Sequence, residues 1–206
     1  MPGASYIYRE RAGSGAEAPL LFLFHGTGGD EDQLFDLGLH LLPRARLISP
    51  RGDVSEGGAL RFFRRTGEGI YDMEDLARRT DAMAAFIAGH VGPNRPSEVL
   101  GLGYSNGANI LASVLFKRPE LFDGAVLMHP LIPFTPEAAP GLRDRRILIT
   151  AGRYDPIAPA PATEALRDYL AGQGARVELH WTQGGHELRP QEVAAAQAFL
   201  APASMA

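Results

Sequence analysis

The sequence predicts an α/β fold: a mostly parallel sheet of about seven strands, helices on both faces and no large cap. Three observations carry that expectation. Short, uniformly apolar runs recur along the chain, at residues 20–24, 99–102 and 124–128 for example, and runs of that kind are strands buried on both faces. Between them lie longer segments with apolar residues at helical spacing, so strand and helix alternate. Glycine, serine, aspartate and histidine stand just past the ends of the apolar runs, where a parallel sheet gathers its functional groups.

Taken in order, residues 5–9 read as a short opening strand, with a loop at Gly13 and Gly15. Pro19 introduces the apolar run 20–24, which stops at His25-Gly26-Thr27-Gly28-Gly29-Asp30. Three glycines in four positions let the backbone pass close to a ligand, and the Thr27 amide is placed to help bind a developing oxyanion. His25 reads as a hydrogen-bonded brace beneath that loop. Asp30 or Asp32 is placed to cap a helix carrying Leu34, Leu37 and Leu41 on one buried face. A short strand over 46–50 follows.

Residues 51–71 form a long irregular stretch containing Gly57-Gly58 and the cluster Arg61-Phe62-Phe63-Arg64-Arg65. Loops of that length tend to be functional, so this one is expected to wall a substrate cleft. Phe62 and Phe63 are neighbours, so in an extended segment one ring would anchor in the core and the other face the cleft. Arg61, Phe62 and Phe63 are therefore candidate substrate contacts, as is Ile132 in the proline-broken segment after the strand at 124–128.

Asp72 with Asp75 begins a helix with Leu76, Met83, Phe86 and Ile87 on its apolar face, ending near Gly89 and Gly92. The strand from Val99 then runs straight into Gly103-Tyr104-Ser105-Asn106-Gly107, and a helix continues to about Lys117. A chain that turns from extended to helical within a residue or two pushes the serine outward, and a side chain at Gly103 or Gly107 would collide with its surroundings. The Asn106 amide sits at the helix N-terminus, where unpaired N–H groups favour negative charge. A strand at 146–151 delivers Gly152-Arg153-Tyr154-Asp155-Pro156. Helix 162–170, strand 176–181 ending in Gly184-Gly185-His186, and a final helix over 190–200 complete the chain. Repeats and linkers are absent, which implies one domain over 1–206.

Ser105, Asp155 and His186 thus each follow a strand, in the chain order serine, acid, histidine. A serine hydroxyl is a poor nucleophile at neutral pH and needs a base; His186 can supply one, and Asp155 can fix the imidazole tautomer. His40, His90 and His180 lie in or near regular elements and suit that role poorly. His129, after a strand end, is expected to be structural.

Composition removes other classes. A formal charge of −4 without a basic stripe argues against nucleic acid. Membrane insertion is not expected, since no apolar run approaches the roughly 20 residues a spanning helix needs. The first residues show no export signal, which makes the cytoplasm the expected location. The chain has no cysteine, and no two histidines stand at helical ligand spacing, so no metal is expected. The glycine loop lacks the full dinucleotide pattern and a P-loop lysine, so no cofactor is expected either.

The motifs resemble those of small α/β-hydrolases of the phospholipase/carboxylesterase group, which also holds the acyl-protein thioesterases. The segments Leu23-Phe24-His25-Gly26-Thr27-Gly28-Gly29-Asp30-Glu31, Ser49-Pro50-Arg51-Gly52 and Arg61-Phe62-Phe63-Arg64 are most similar to bacterial hydrolases linked to methylhydroquinone degradation. That resemblance implies Ser105, Asp155 and His186 as triad, Thr27 and Asn106 as oxyanion amides, and a small-molecule ester as partner of a monomer or homodimer. The group typically carries Gln where this chain has Asn106, a change that leaves the backbone amide in place. A dienelactone hydrolase is less expected, because such enzymes use a cysteine nucleophile, and a peptidase is less expected without a filtering cap. The expected activity is serine carboxylesterase; the alternative is a triad-bearing sensor or quinone-related carrier that turns over slowly or not at all.

Overall fold

The apolar runs pair side by side. The computed structural model describes residues 5–15 and 17–201. In chain order its elements are β1 (Tyr8–Arg11), β2 (Leu20–Phe24), α1 (Phe35–Leu41), β3 (Arg46–Pro50), β4 (Val54–Glu56), β5 (Ala59–Arg61), β6 (Arg65–Gly67), β7 (Ile70–Tyr71), α2 (Met73–Val91), β8 (Val99–Tyr104), α3 (Asn106–Lys117), β9 (Gly124–Met128), β10 (Arg146–Gly152), α4 (Ala160–Gly172), β11 (Arg176–Thr182) and α5 (Pro190–Leu200). Seven strands form one sheet in the order β1-β3-β2-β8-β9-β10-β11. Only the β1–β3 pair is antiparallel within it.

Alternation along each strand sorts the core into two layers. Leu20, Phe22 and Phe24 of β2 point to one face with Ala125, Leu127, Ile147 and Ile149, and are covered by α2, α3 and α4. Leu21 and Leu23 point to the other face with Val126, Met128 and Leu148, and are covered by α1 and α5. Fully buried on both sides, these strands can be apolar at every position, which is why they read as runs rather than alternations.

From β2 the chain turns outward to β3, whereas β8 lies on the other side of β2. The loops after β2 and β8 therefore part in opposite directions, leaving a crevice at the carboxyl ends of the strands. Gly26 and Ser105 follow those ends.

Three expectations are corrected. The first strand is Tyr8–Arg11, shifted from 5–9 by its pairing of Tyr8 with Pro50 and Arg11 with Leu47. Neither aspartate caps α1: the N-cap is Leu34, while Asp30 Oδ1 accepts the Asp32 amide in a turn and Asp32 pairs with Arg9. Residues 51–71 are not irregular. They make two small hairpins, β4–β5 and β6–β7, the first turning through Gly57 and Gly58 at φ 59° and 92°. A two-residue turn with both φ positive matches the twist of the flanking strands, and glycine is the residue that takes it. No helix among the described residues is long and apolar enough to cross a membrane.

Candidate active site

Ser105 sits at the break between β8 and α3 with φ 53° and ψ −117°, a backbone conformation that non-glycine residues rarely adopt and that costs on the order of 1–3 kcal/mol. Its neighbours hold it there. The Ser105 amide donates to Met128 O at 2.9 Å, tying the turn to the end of β9. A Cβ on Gly107 would lie 2.0 Å from Phe24 O, and one on Gly103 2.6 Å from Gly107 O. Both positions are therefore closed to side chains, as the motif suggested.

The loops after β10 and β11 meet opposite this turn. They come into close contact at Gly152, where a Cβ would stand 2.1 Å from Gly185 O, and Tyr154 N–H bonds Gly184 O at 2.9 Å. Asp155 and His186 are brought together as a result. His186 Nδ1 lies 2.7 Å from Asp155 Oδ2, and His186 Nε2 lies 2.8 Å from Ser105 Oγ. Asp155 is fully buried and His186 largely so. Burial opposes ionisation of Asp155, but the Ala158 amide, His129, His186 and the Ile157 amide outweigh it and hold the carboxyl below its ordinary value. An ionised Asp155 obliges His186 Nδ1 to donate, which leaves Nε2 free to accept the serine proton. Tyr104 fixes the histidine loop from below, its hydroxyl donating to His186 O at 2.7 Å.

The glycine loop after β2 is pinned at three points. His25 is buried and bridges it, with Nδ1 2.7 Å from Gly26 O and Nε2 accepting the Gly52 amide at 2.8 Å. The Gly26 amide donates to Gln33 Oε1, and the Gly28 amide to Leu60 O. Gly28 takes φ 81°, and a Cβ on Gly26 would press 2.8 Å from the Tyr104 ring. Thr27 and Asn106 consequently line the same cleft as Ser105. Asn106 is the first residue of α3, so its amide has no partner from the preceding helical turn.

That cleft has a volume of about 310 Å³. Arg61 lines it with its side chain almost wholly buried, its Nη1 donating to Thr27 Oγ1 at 2.8 Å and its Nε to Phe63 O at 3.2 Å. Arg65 and Glu68 line the same wall, and Arg65 is held by a two-pronged pair with Glu56. Phe62 and Phe63 do not face the cleft. Both rings are buried, Phe62 against Phe24 and His25 and Phe63 against Tyr71. The two adjacent rings find separate niches in one core, so the expected division into anchor and contact does not hold. Ile132 also packs into the core; its neighbour Leu131 lines the cleft instead, pinned by Asn109 Oδ1 on its amide and the Tyr71 hydroxyl on its carbonyl.

His129, read from the sequence as structural, reaches the cleft and Asp155, and Glu192 escapes a reading of the sequence. His129 Nδ1 lies 2.9 Å from Asp155 Oδ2, the oxygen that also takes His186, and its Nε2 lies 2.9 Å from Oε2 of the fully buried Glu192 in α5. Placement just past β9 is a signal for His129, but an acid in a first helical turn ordinarily reads as a surface partner of the helix dipole. Ligand-type atoms of His129, Asp155 and His186 all lie within 4.8 Å of one another. The two Nδ1 atoms converge on one carboxylate oxygen and His186 Nε2 is taken by Ser105, so the side chains form one connected polar cluster.

The Dienelactone hydrolase family model matches residues 65–192. MhqD of Bacillus subtilis (strain 168), named as a hydrolase, is 40% identical over 180 residues, covering 86% of this chain and 90% of that protein. Among solved structures, the protein Atu2452 of unknown function from Agrobacterium tumefaciens str. C58 is 56% identical with a TM-score of 0.88, covering 95% of this chain and 96% of that one. A carboxylesterase from Bacillus cereus is 36% identical with a TM-score of 0.88, covering 95% and 93%.

Proposed function

The chain belongs to the dienelactone hydrolase family, and we propose that it is a serine carboxylesterase that cleaves small to medium carboxylic esters through an acyl-enzyme on Ser105. Membership of a family whose name goes with a cysteine nucleophile does not bring one here, since the chain has no cysteine; the turn after β8 carries a hydroxyl. The observation that supports the reading best is the unbroken line from Ser105 Oγ through His186 to Asp155, at 2.8 and 2.7 Å.

In this reading His186 Nε2 takes the Ser105 proton as Oγ bonds to the ester carbonyl carbon. Negative charge moves to the carbonyl oxygen, where the Thr27 and Asn106 amides stabilise it. The carbon–oxygen bond to the leaving group then breaks, and the alkoxide receives the proton from His186. Water repeats the sequence on the acyl-enzyme: its proton goes to His186, its oxygen to the acyl carbon, and the proton returns to Ser105 as the acid departs. Asp155 remains ionised and offsets the imidazolium at each step.

The cleft volume stands at the small end of ligand sites, which supports a small acyl or alcohol portion. Arg61 adds chemistry: a guanidinium in a buried wall favours an ester that carries a second, anionic group such as a carboxylate. Turnover of aryl esters of increasing acyl length, with acetate set against hemisuccinate, tests both statements. Slow or absent turnover of every ester, with ligand binding retained, would favour the sensor reading instead.

A further inference from the structure

Beneath the cleft the polar chain does not stop at Asp155. His129 is completely buried with φ 51°, held by its amide on Thr150 O at 2.8 Å. Its Nδ1 approaches the Asp155 oxygen that His186 also uses, at 2.9 Å against 2.7 Å. Its Nε2 is 2.9 Å from Glu192 Oε2, a close charge contact outside hydrogen-bond alignment. Glu192, itself fully buried, accepts the Thr150 hydroxyl at 2.7 Å and the Thr182 hydroxyl at 3.5 Å.

Counting protons decides the charges. An ionised carboxylate donates nothing, so both Nδ1 atoms at Asp155 carry protons. Between His129 Nε2 and Glu192 there must be one more, because a buried carboxylate facing an imidazole lone pair would be heavily penalised. Two hydroxyl donors and the first turn of α5 favour the glutamate as the anion. Burial opposes charge on His129, but the contacts and negative charges of Glu192 and Asp155 outweigh it and raise its affinity for the proton above the ordinary histidine value. His129 is therefore the cation.

We propose that His129 and Glu192 form a buried ion pair that positions Asp155 and divides its charge between two imidazoles, placing a fixed positive charge beside the base His186. This rests on the reading of Ser105, His186 and Asp155 as the catalytic groups. The His129 and His186 rings lie 5.2 Å apart, and a cation at that distance disfavours a second one. The other groups around His186 are accounted for. Tyr104, from β8, is kept neutral by burial. Glu187 and Arg189, in the same loop as His186, pair with each other. Arg61, Arg65 and Glu68 stand on the hairpin wall of the cleft. Among the described residues, the hydrogen bonds to Asp155 come from the two histidines and the amides of Ile157 and Ala158.

The test is the acid limb of kcat/KM for a neutral aryl ester, read beside an NMR titration of His186 in the Ser105→Ala protein. Glu192→Gln keeps an acceptor oxygen for one threonine, lets the other hydroxyl accept from the amide NH2 instead, and removes the charge that holds the His129 proton. It should raise the His186 midpoint and the acid limb together by about one pH unit, a roughly tenfold loss of kcat/KM well below the midpoint. His129→Asn, with a side chain that tolerates positive φ, should move both the same way. An unmoved midpoint in folded Glu192→Gln protein, with only a lower unfolding temperature and with Ser105 still labelled by a fluorophosphonate, would overturn the ion pair's role and leave the triad reading standing. Failure of the wild-type protein to be labelled at Ser105 would overturn both.

Discussion

The Phe62 amide donates to Asn106 Oδ1 at 2.8 Å, so the residue that follows Ser105 also holds the hairpin wall of the cleft. Both partners are buried. The side chain at this position therefore joins the turn carrying the hydroxyl to the arm carrying Arg61.

Asn106→Ala should separate those duties. The backbone amide stays at the helix N-terminus, while the buried Phe62 N–H loses its acceptor, at a cost of about 1–3 kcal/mol. Thermal unfolding should report the loss, and kcat on an acetate ester should fall much less than in any triad variant. A fall as deep as that of Ser105→Ala would mean that the side chain acts on the reacting atoms.

Phe62→Ala and Phe63→Ala should each lower stability by about 3–5 kcal/mol, because each ring is fully enclosed. Activity per folded molecule should change alike for acetate and for longer acyl chains. Selective loss on bulky esters, measured as a ratio of KM values, would place a ring in the cleft after all.

Arg61→Gln should cut kcat/KM for a hemisuccinate ester relative to a neutral ester of equal length by roughly 10- to 100-fold, as expected for one lost hydrogen-bonded charge. The ratio is the readout, since Arg61 also holds Thr27 and its loss will slow both substrates. Equal losses on both would remove the anionic group from the proposed substrate.

His25 links pH to stability. Burial is the main cause that holds its imidazole below the ordinary histidine value, and its Nε2 must stay unprotonated to accept the Gly52 amide. A histidine whose value is depressed on folding contributes stability that is present above its unfolded value of about 6.5 and is lost as pH falls through the folded one. Urea midpoints measured from pH 8 to 5 should therefore drop more steeply on the acid side for wild type than for His25→Gln. Parallel curves would show that His25 does not titrate across that range.

The sheet was legible because burial on both faces removes any need for polar residues: β2 and β9 are apolar at every position, and helix 190–200 has the bounds its pattern suggests. The arrangement of Ser105, Asp155 and His186 was approachable for a similar reason, since each stands just past a strand of a parallel sheet. The hairpins were missed although Gly57-Gly58 is a turn signal, because strands of two or three residues leave no periodicity to read. The directions of Phe62 and Phe63 depended on partners as distant as Phe24 and Tyr71. Glu192 was hidden for another reason: its partners, His129 just past β9 and Thr150 in β10, lie some 40 to 60 residues earlier, and only folding places them under the first turn of α5.

If Ser105 is the nucleophile, a fluorophosphonate will modify it, and intact-mass measurement after exposure reads the outcome. Wild-type protein should gain one adduct per chain, localised to Ser105 by peptide mapping, with ester hydrolysis lost in proportion. Ser105→Ala should gain none and should lose kcat by a factor on the order of 10⁶ while remaining folded. An adduct on another residue, or an Ser105→Ala protein that still turns over esters at a substantial fraction of the wild-type rate, would contradict Ser105 as the nucleophile.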